Sequence, residues 1–314
     1  MNREDAISYL GIDIGGTKVA LRAEGVPGSA AGQTPVETTF RWPDGGVDAD
    51  LELLSSRVDE LRRRWPEPIR GVGVATPAGC DPGGTVLTWP GRPSWVGLDF
   101  TGALASLFPD LPVRWADDGD LAALAEARAA GQPDVLYLGI GTGVGGGVVL
   151  DGRSWPGPAH GSCEVGHLVV DLGGPSCDCG RRGCVQAVAA GPALLRRAGR
   201  LRGGTVTFDD LVAGVRDGAD WAAATLEPAV TALAAATVSV CELAHPAVVL
   251  VGGGVAAALP ELVSRLDRQV AALTRPGVRA VPVRPARLGG LSSLRGALIL
   301  AGAAADDRAA GPAR

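Results

Sequence analysis

Lysine is almost absent from this sequence. Lys18 is the only one, the other permanent cations are arginines, and nowhere do more than three of them stand together, as at Arg62-Arg63-Arg64. With a net charge of −5 at pH 7, this leaves no patch suited to a nucleic-acid backbone or an anionic bilayer, so a small-molecule substrate is expected. A long apolar segment is missing too. The most apolar stretch, residues 247–259, is short and interrupted by Gly252-Gly253-Gly254, so no membrane span is expected. Met1-Asn2-Arg3-Glu4-Asp5 leads quickly into a strand pattern, with no apolar leader and no small-residue cleavage site, which points to a cytoplasmic protein. In that compartment six cysteines are thiols or metal ligands rather than a disulfide framework. Cys80, Cys163 and Cys241 lie in apolar contexts and read as core thiols, whereas Cys177, Cys179 and Cys184 crowd together.

What is present is enough for an enzyme of two α/β lobes: 314 residues, 46% hydrophobic and 20% charged. Tyr9-Leu10-Gly11-Ile12-Asp13-Ile14 has the pattern of a core strand, and Gly15-Gly16-Thr17 turns it into a second strand at 19–22. Leu51, Leu53, Leu54, Val58 and Leu61 stand at helical spacing over 49–64, behind aspartates placed to cap the helix. A strand at 71–75 precedes residues 77–98, a long functional loop whose Trp89 and Trp95 need something to pack on. A strand at 111–115 and a helix at 121–130 follow. A strand at 135–140, a glycine turn at 141–147 and a strand resuming at 148–150 then echo the first hairpin and suggest two topologically similar halves. Residues 192–244 are helical, 248–251 form a buried strand, and a helix at 291–305 closes the chain. The division expected is a smaller lobe at 1–118 completed by the helix 291–305, a larger lobe at 119–290, and a disordered tail at 306–314.

Three glycine elements carry the first chemical signal. Gly11-Ile12-Asp13-Ile14-Gly15-Gly16-Thr17-Lys18 offers backbone that can approach anionic oxygens, a hydroxyl, a cation and a carboxylate able to orient Mg²⁺-bound water; alone, it could equally be an ordinary hairpin. Gly141-Thr142-Gly143 opens a second cradle of the same kind, and Gly252-Gly253-Gly254 ends a buried strand where a base or ribose could lie against backbone. None has the spacing of a P-loop or a dinucleotide fingerprint. His167 with Cys177, Cys179 and Cys184 offers one imidazole and three thiolates, a closed tetrahedral set suited to structural Zn²⁺, in a loop at 167–184 shaped by glycines. Glu164, three residues before His167, is either available to a polyhydroxyl ligand or a partner of the histidine. Asp117 and Asp118 end a short strand just before a helix, a position that serves a general base or a helix cap.

Taken together these motifs resemble the ROK family of sugar kinases and sugar-responsive repressors over residues 8 to about 303. The resemblance rests on Asp13-Ile14-Gly15-Gly16-Thr17-Lys18, the glycine run 141–147, Glu164-Val165-Gly166-His167, the cysteine loop and the late glycine triplet. It implies a two-lobed α/β fold of the actin and hexokinase type, related to ribonuclease H, with a structural zinc loop. It implies ATP and Mg²⁺ held by Asp13, Gly15, Gly16, Thr17, Lys18, Gly141, Thr142, Gly143, Gly253 and Gly254. Asp118 matches the base that deprotonates a sugar 6-hydroxyl. Asp117, Glu164, His167, Gln186, Ala78 and Gly79 fall where the sugar binds, and a homodimer is common in the family. Repressor members carry a helix-turn-helix ahead of the first phosphate loop, whereas only residues 1–7 precede the first strand here, so an enzyme is expected.

Three positions depart from the common hexose pattern. Asp117 stands where the family usually has Asn, Gln186 where it usually has Glu, and Ala78 where glycine usually follows Pro77. An amide donates and accepts, but an ionised carboxylate only accepts, so Asp117 favours a ligand group that always donates, such as an ammonium. That points to a 3-amino hexose, 3-amino-3-deoxyglucose (kanosamine), of the kind used in antibiotic precursor pathways. Glucose remains the alternative if Asp117 is protonated or paired with an arginine. A cyclitol is a third, since Gln186 suits a ring lacking a hemiacetal, and a sugar sensor without catalysis a fourth.

Overall fold

The alternation at residues 9–14 becomes a strand, β1 (Ser8–Ile14), whose Leu10, Ile12 and Ile14 are fully buried on one face of a five-stranded sheet. The computed structural model describes residues 7–26, 34–157 and 161–310. The chain falls into two units, one of residues up to Leu121 with those from Ser293 onward, the other Ala122–Ser292.

In the first unit β1 pairs antiparallel with β2 (Lys18–Gly25), which pairs antiparallel with β3 (Val36–Arg41). On its other side β1 runs parallel to β4 (Ile69–Thr76), and β4 parallel to β7 (Val113–Asp117). The helix α1 (Val47–Arg64) lays Leu54, Val58 and Leu61, one stripe at helical spacing, into the core that holds Leu10, Ile12 and Ile14. Between β4 and β7 lie a short hairpin, β5 (Gly79–Cys80) and β6 (Val86–Thr88), and the helix α2 (Phe100–Leu107). Trp89 and Trp95 do find their packing, in an aromatic cluster with Trp42 and Phe100.

The opposite face of that sheet is paved with glycine for α10 (Ser292–Ala310). A methyl carbon on Gly73 would sit 1.9 Å from the carbonyl oxygen of Ala297, and one on Gly71 would sit 2.3 Å from that of Ala301. Helix backbone therefore rests directly on strand backbone, an approach that only glycine permits. The helix α3 (Asp118–Ala130) follows β7 without an intervening residue.

The second unit repeats the plan. Its sheet, ordered β10-β9-β8-β11-β12, comprises β8 (Val135–Ile140), β9 (Val144–Leu150), β10 (Arg153–Trp155), β11 (Val248–Gly252) and β12 (Val283–Pro285). β8, β9 and β10 are joined antiparallel, whereas β8, β11 and β12 run parallel, so order and sense match β3-β2-β1-β4-β7 of the first unit. Around it lie α4 (Val185–Ala189), α5 (Gly191–Arg202), α6 (Phe208–Arg216), α7 (Asp220–Ala244), α8 (Gly253–Ala258) and α9 (Pro260–Leu273). This is the mixed α/β, hexokinase-like architecture that the motifs imply.

Several local expectations are corrected. The second hairpin resumes at Val144, not at 148, so Gly145, Gly146 and Gly147 are strand residues; Gly146 must be small because a methyl carbon there would meet the Tyr137 carbonyl oxygen at 2.1 Å. No aspartate caps α1: its N-cap is Gly46 without a side-chain bond, and Asp50 is buried inside the unit. The stretch 247–259 is divided between β11 and α8. Among the described residues it is α7 that is long and apolar enough to cross a bilayer. Half of that helix's apolar window is buried, and Leu226, Ala229 and Leu233 lie fully within the second core, as in a core helix. α10 runs on through 306–310, into the stretch expected to be a disordered tail; 311–314 lie outside the described residues. β3, α2 and α9 were not anticipated.

The Gly73 contact generates a test. Gly73→Ala should force α10 off β4 and lower the stability of the folded protein by at least about 1–3 kcal/mol, the scale of overpacking, in a urea titration. An unchanged midpoint would mean that α10 does not lie on the sheet in this way.

Candidate active site

The first glycine hairpin is tied at several points. Gly15 N–H donates to the Lys18 carbonyl (3.0 Å), the Trp42 indole N–H donates to the Gly15 carbonyl (2.8 Å), and Trp42 N–H donates to the Thr17 carbonyl (3.2 Å). A methyl carbon on Gly16 would lie 2.5 Å from the Pro90 carbonyl oxygen, so this residue cannot carry a side chain. The Thr17 and Lys18 side chains are exposed at the tip. Asp13 accepts a hydrogen bond from the Ser293 hydroxyl (2.6 Å). Burial pushes its carboxyl above the usual aspartate range, partly offset by that hydroxyl and by the charge of Lys18. Ser293 and Trp42 carry no local motif, and Ser293 is remote in sequence from its partner, so neither was foreseen.

Asp117 and Asp118 sit at the junction of β7 and α3. The Asp117 carboxylate accepts from Gly119 N–H (2.9 Å) and Asp120 N–H (3.1 Å) through one oxygen, Oδ1, and so caps α3. The cap role weighed for this pair thus falls to Asp117. Asp118 is the first helical residue and half-buried. In the same unit Ala78 is 9% exposed, its methyl joins the aromatic core, and its N–H is taken by the Thr76 hydroxyl (3.2 Å). Gly79 is exposed and faces Thr88 across the hairpin, where a methyl carbon would meet the threonine hydroxyl at 2.6 Å.

In the second unit Gly141 N–H donates to the Gly143 carbonyl (2.8 Å), and the Gly141 carbonyl accepts from Gly191 N–H (2.8 Å). The Gln186 side chain reaches this hairpin: its Oε1 accepts from Val144 N–H (3.1 Å) and lies where a Gly143 methyl carbon would be, at 2.7 Å. One end of Gln186, a candidate sugar ligand, is therefore committed to the glycine loop. Thr142 is exposed at the tip. Gly253, at φ +85, brings its Cα against Ile140, where a methyl carbon would sit 2.3 Å from the carbonyl oxygen. Gly254 faces open space, so the late glycines are joined to the hairpin of β8 and β9.

His167 closes a short helical turn begun at Glu164, its N–H bonded to the Glu164 carbonyl (3.0 Å). Glu164 is exposed and accepts from the Ser162 hydroxyl (2.7 Å). The ligand atoms of His167, Cys177, Cys179 and Cys184 all lie within 4.8 Å of one another. Cys177 Sγ is 3.7 Å from His167 Nδ1, and Cys179 Sγ is 3.7 Å from Cys184 Sγ. Two thiolates at about 2.3 Å from a tetrahedral zinc stand about 3.8 Å apart, so the donor set fits that ion. Arg181, by its backbone N–H and then its guanidinium, holds the Cys179 thiol down to about 6; burial and the neighbouring thiols push Cys184 up to about 12. The backbone bonds of Val170 N–H to the Gly183 carbonyl and Val185 N–H to the Leu168 carbonyl join this loop to the start of α4, which carries Gln186.

The chain is 53% identical, over 94% of its length and 96% of the relative's, to a protein of Amycolatopsis mediterranei (strain S699) named kanosamine kinase. Its fold is similar to that of the ROK hexokinase of Thermus thermophilus (TM-score 0.79, 30% identity, 96% of this chain and 99% of that one). It is also similar to a Streptomyces griseus ROK family glucokinase solved with glucose and AMPPNP (TM-score 0.76, 23% identity, 94% and 99%). The ROK family model matches residues 9–304, and the chain belongs to that family.

Proposed function

We propose that this protein is an ATP-dependent sugar kinase that transfers the γ-phosphoryl group to the 6-hydroxyl of 3-amino-3-deoxyglucose, kanosamine, in the cytoplasm. The 53% identity to a kanosamine kinase over nearly the whole chain carries the substrate assignment. The carboxylate of Asp117 supplies its physical reason. With Oδ1 engaged by the N–H groups of Gly119 and Asp120, the carboxylate is held in one orientation. In this reading the ionised carboxylate also accepts from the 3-ammonium group of the sugar, a charge-assisted bond that a hydroxyl cannot match. Glucose, the ligand of the more distant Streptomyces griseus glucokinase, lacks that ammonium.

In this reading Asp118 accepts the proton of the sugar 6-hydroxyl as O6 bonds to the γ-phosphorus; the bond from that phosphorus to the bridging oxygen breaks, and ADP leaves. Backbone N–H groups of Gly16, Thr142 and Gly143, the hydroxyl of Thr17 and the ammonium of Lys18 hold the phosphates, while Gly15 and Gly141, whose N–H groups bond to the Lys18 and Gly143 carbonyls, shape the two hairpins. Asp13 would orient the water shell of Mg²⁺, which neutralises phosphate charge when bound. Gly253 and Gly254 leave room for the nucleoside. Glu164, His167, Gln186 and the backbone of Ala78 and Gly79 orient the sugar hydroxyls. His167, Cys177, Cys179 and Cys184 would hold a structural zinc, which when bound supplies order to a loop with little core of its own. A homodimer is expected from the family resemblance.

Asp117→Asn tests the substrate assignment, because asparagine also caps helices through its amide oxygen while it removes the charge and turns the other acceptor into a donor. Its kcat/KM for kanosamine should fall by about 10–100-fold, the worth of a hydrogen bond to a charged group, while that for glucose holds or rises. An equal loss for both sugars would contradict the ammonium contact. Asp118→Asn should lower kcat by at least about 100-fold with sugar affinity kept within a few-fold; retained turnover would remove Asp118 as the base. Metal analysis should find one zinc per chain. Because Cys184 keeps its proton up to about 12 in chelated protein, zinc uptake near neutral pH should release protons and weaken as pH falls. Hydrogen exchange over 164–184 should rise on chelation, and an unchanged pattern would contradict a structural metal.

A further inference from the structure

The loop at 77–98 does more than house tryptophans. Asp50, a helix residue with a fully buried side chain, takes a two-pronged hydrogen bond from the Arg92 guanidinium and a third, at 2.7 Å, from the Trp95 indole N–H. Arg92, itself only 15% exposed, also donates to the Pro43 carbonyl (3.1 Å), and its guanidinium carbon lies 5.4 Å from the ring centre of Trp42. Trp95 packs on the same ring at 5.4 Å. So Trp42 is held between a cation and an aromatic face, both anchored on one buried carboxylate. Burying that ion pair has a desolvation cost, which directs attention to what it positions.

It positions Trp42, and Trp42 spends both of its N–H groups on the glycine hairpin, one on the Gly15 carbonyl and one on the Thr17 carbonyl. A peptide unit is planar and trans, so fixing the Gly15 carbonyl fixes Gly16 N–H pointing the opposite way, and fixing the Thr17 carbonyl does the same for Lys18 N–H. Pro90 and Gly91, just before Arg92, close over the Cα of Gly16 and leave no space for a side chain. We propose that Asp50, Arg92 and Trp42 are positioning residues for phosphate binding: a buried clamp that aims the hairpin N–H groups at the nucleotide without touching it. This rests on the assignment of residues 15–18 to the ATP phosphates.

The test separates the two claims. Arg92→Ala would strand a buried carboxylate and destabilise the fold, so the informative variant is Trp42→Phe, which keeps a ring beneath Arg92 but deletes the indole donor. Arg92→Lys, which loses the planar fork, is the second variant. Binding of AMPPNP and of kanosamine would each be measured by calorimetry, with Thr17→Ala as the reference for the loop itself. Trp42→Phe is expected to weaken AMPPNP at least fivefold and to raise the KM for ATP in proportion, with kanosamine affinity within twofold and kcat at saturating ATP little changed. Arg92→Lys should shift the same constants in the same direction. Folded Trp42→Phe protein with wild-type AMPPNP affinity would overturn the clamp, provided Thr17→Ala weakens AMPPNP. Equal losses for both ligands would also overturn it, as the mark of a general structural defect. Wild-type AMPPNP affinity in Thr17→Ala would overturn the loop assignment and the clamp with it.

Discussion

A main-chain N–H group can hold a polyanion only while its peptide plane stays still, and glycine, the residue that lets backbone come close, is also the one least able to hold still by itself. Both hairpins meet this constraint from the carbonyl side. Trp42 takes the carbonyls of Gly15 and Thr17; Gly191 takes that of Gly141, and the Gln186 side chain takes Val144 N–H just beyond. The two solutions are unrelated in chemistry, an indole in one unit and a helix-start amide with a glutamine in the other. They stand at equivalent places in two sheets of the same order and sense. Much of each unit follows from this requirement. The aromatic cluster supports Trp42, and the cysteine loop leads into the short helix that carries Gln186.

Local chemistry was legible in the sequence because it was written in consecutive residues. Asp13 to Lys18, Gly141 to Gly143 and the cysteine spacing each specify a backbone shape and a donor set within a few positions, and the structure assembles the His167, Cys177, Cys179 and Cys184 donors within reach of one ion. The long-range partners were not legible. Ser293 on Asp13, Trp42 on Gly15 and Arg92 on Asp50 join segments far apart in the chain, and a serine, tryptophan or arginine has no spacing that announces its partner. The start of α1 was misread for a related reason: aspartates ahead of a helix are usually caps, but here Gly46 occupies the cap, and Asp50, inside the helix, is buried. Gly71 and Gly73 lay in an expected strand without a stated reason for being glycine, and only α10 explains why they carry no side chain.

The residues beside the motifs bear on specificity. A kinase of this family can exchange an amide for a carboxylate at position 117 without losing its helix cap, since one oxygen serves the helix in either case. Substrate preference can then change while Asp118, the base proposed above, stays in place at the start of α3. Gln186 shows the opposite economy. Its carbonyl oxygen is held by Val144, so a change at this position would act on the glycine hairpin as well as on any ligand.

The most direct test of the account is the specificity of the unmodified enzyme. Initial rates of ADP release with kanosamine and with glucose, at saturating MgATP and neutral pH, give the ratio of the two kcat/KM values. The account predicts a ratio of at least about 10 in favour of kanosamine, the discrimination expected when a bond to a charged group is lost. A value for glucose equal to or above that for kanosamine would contradict it.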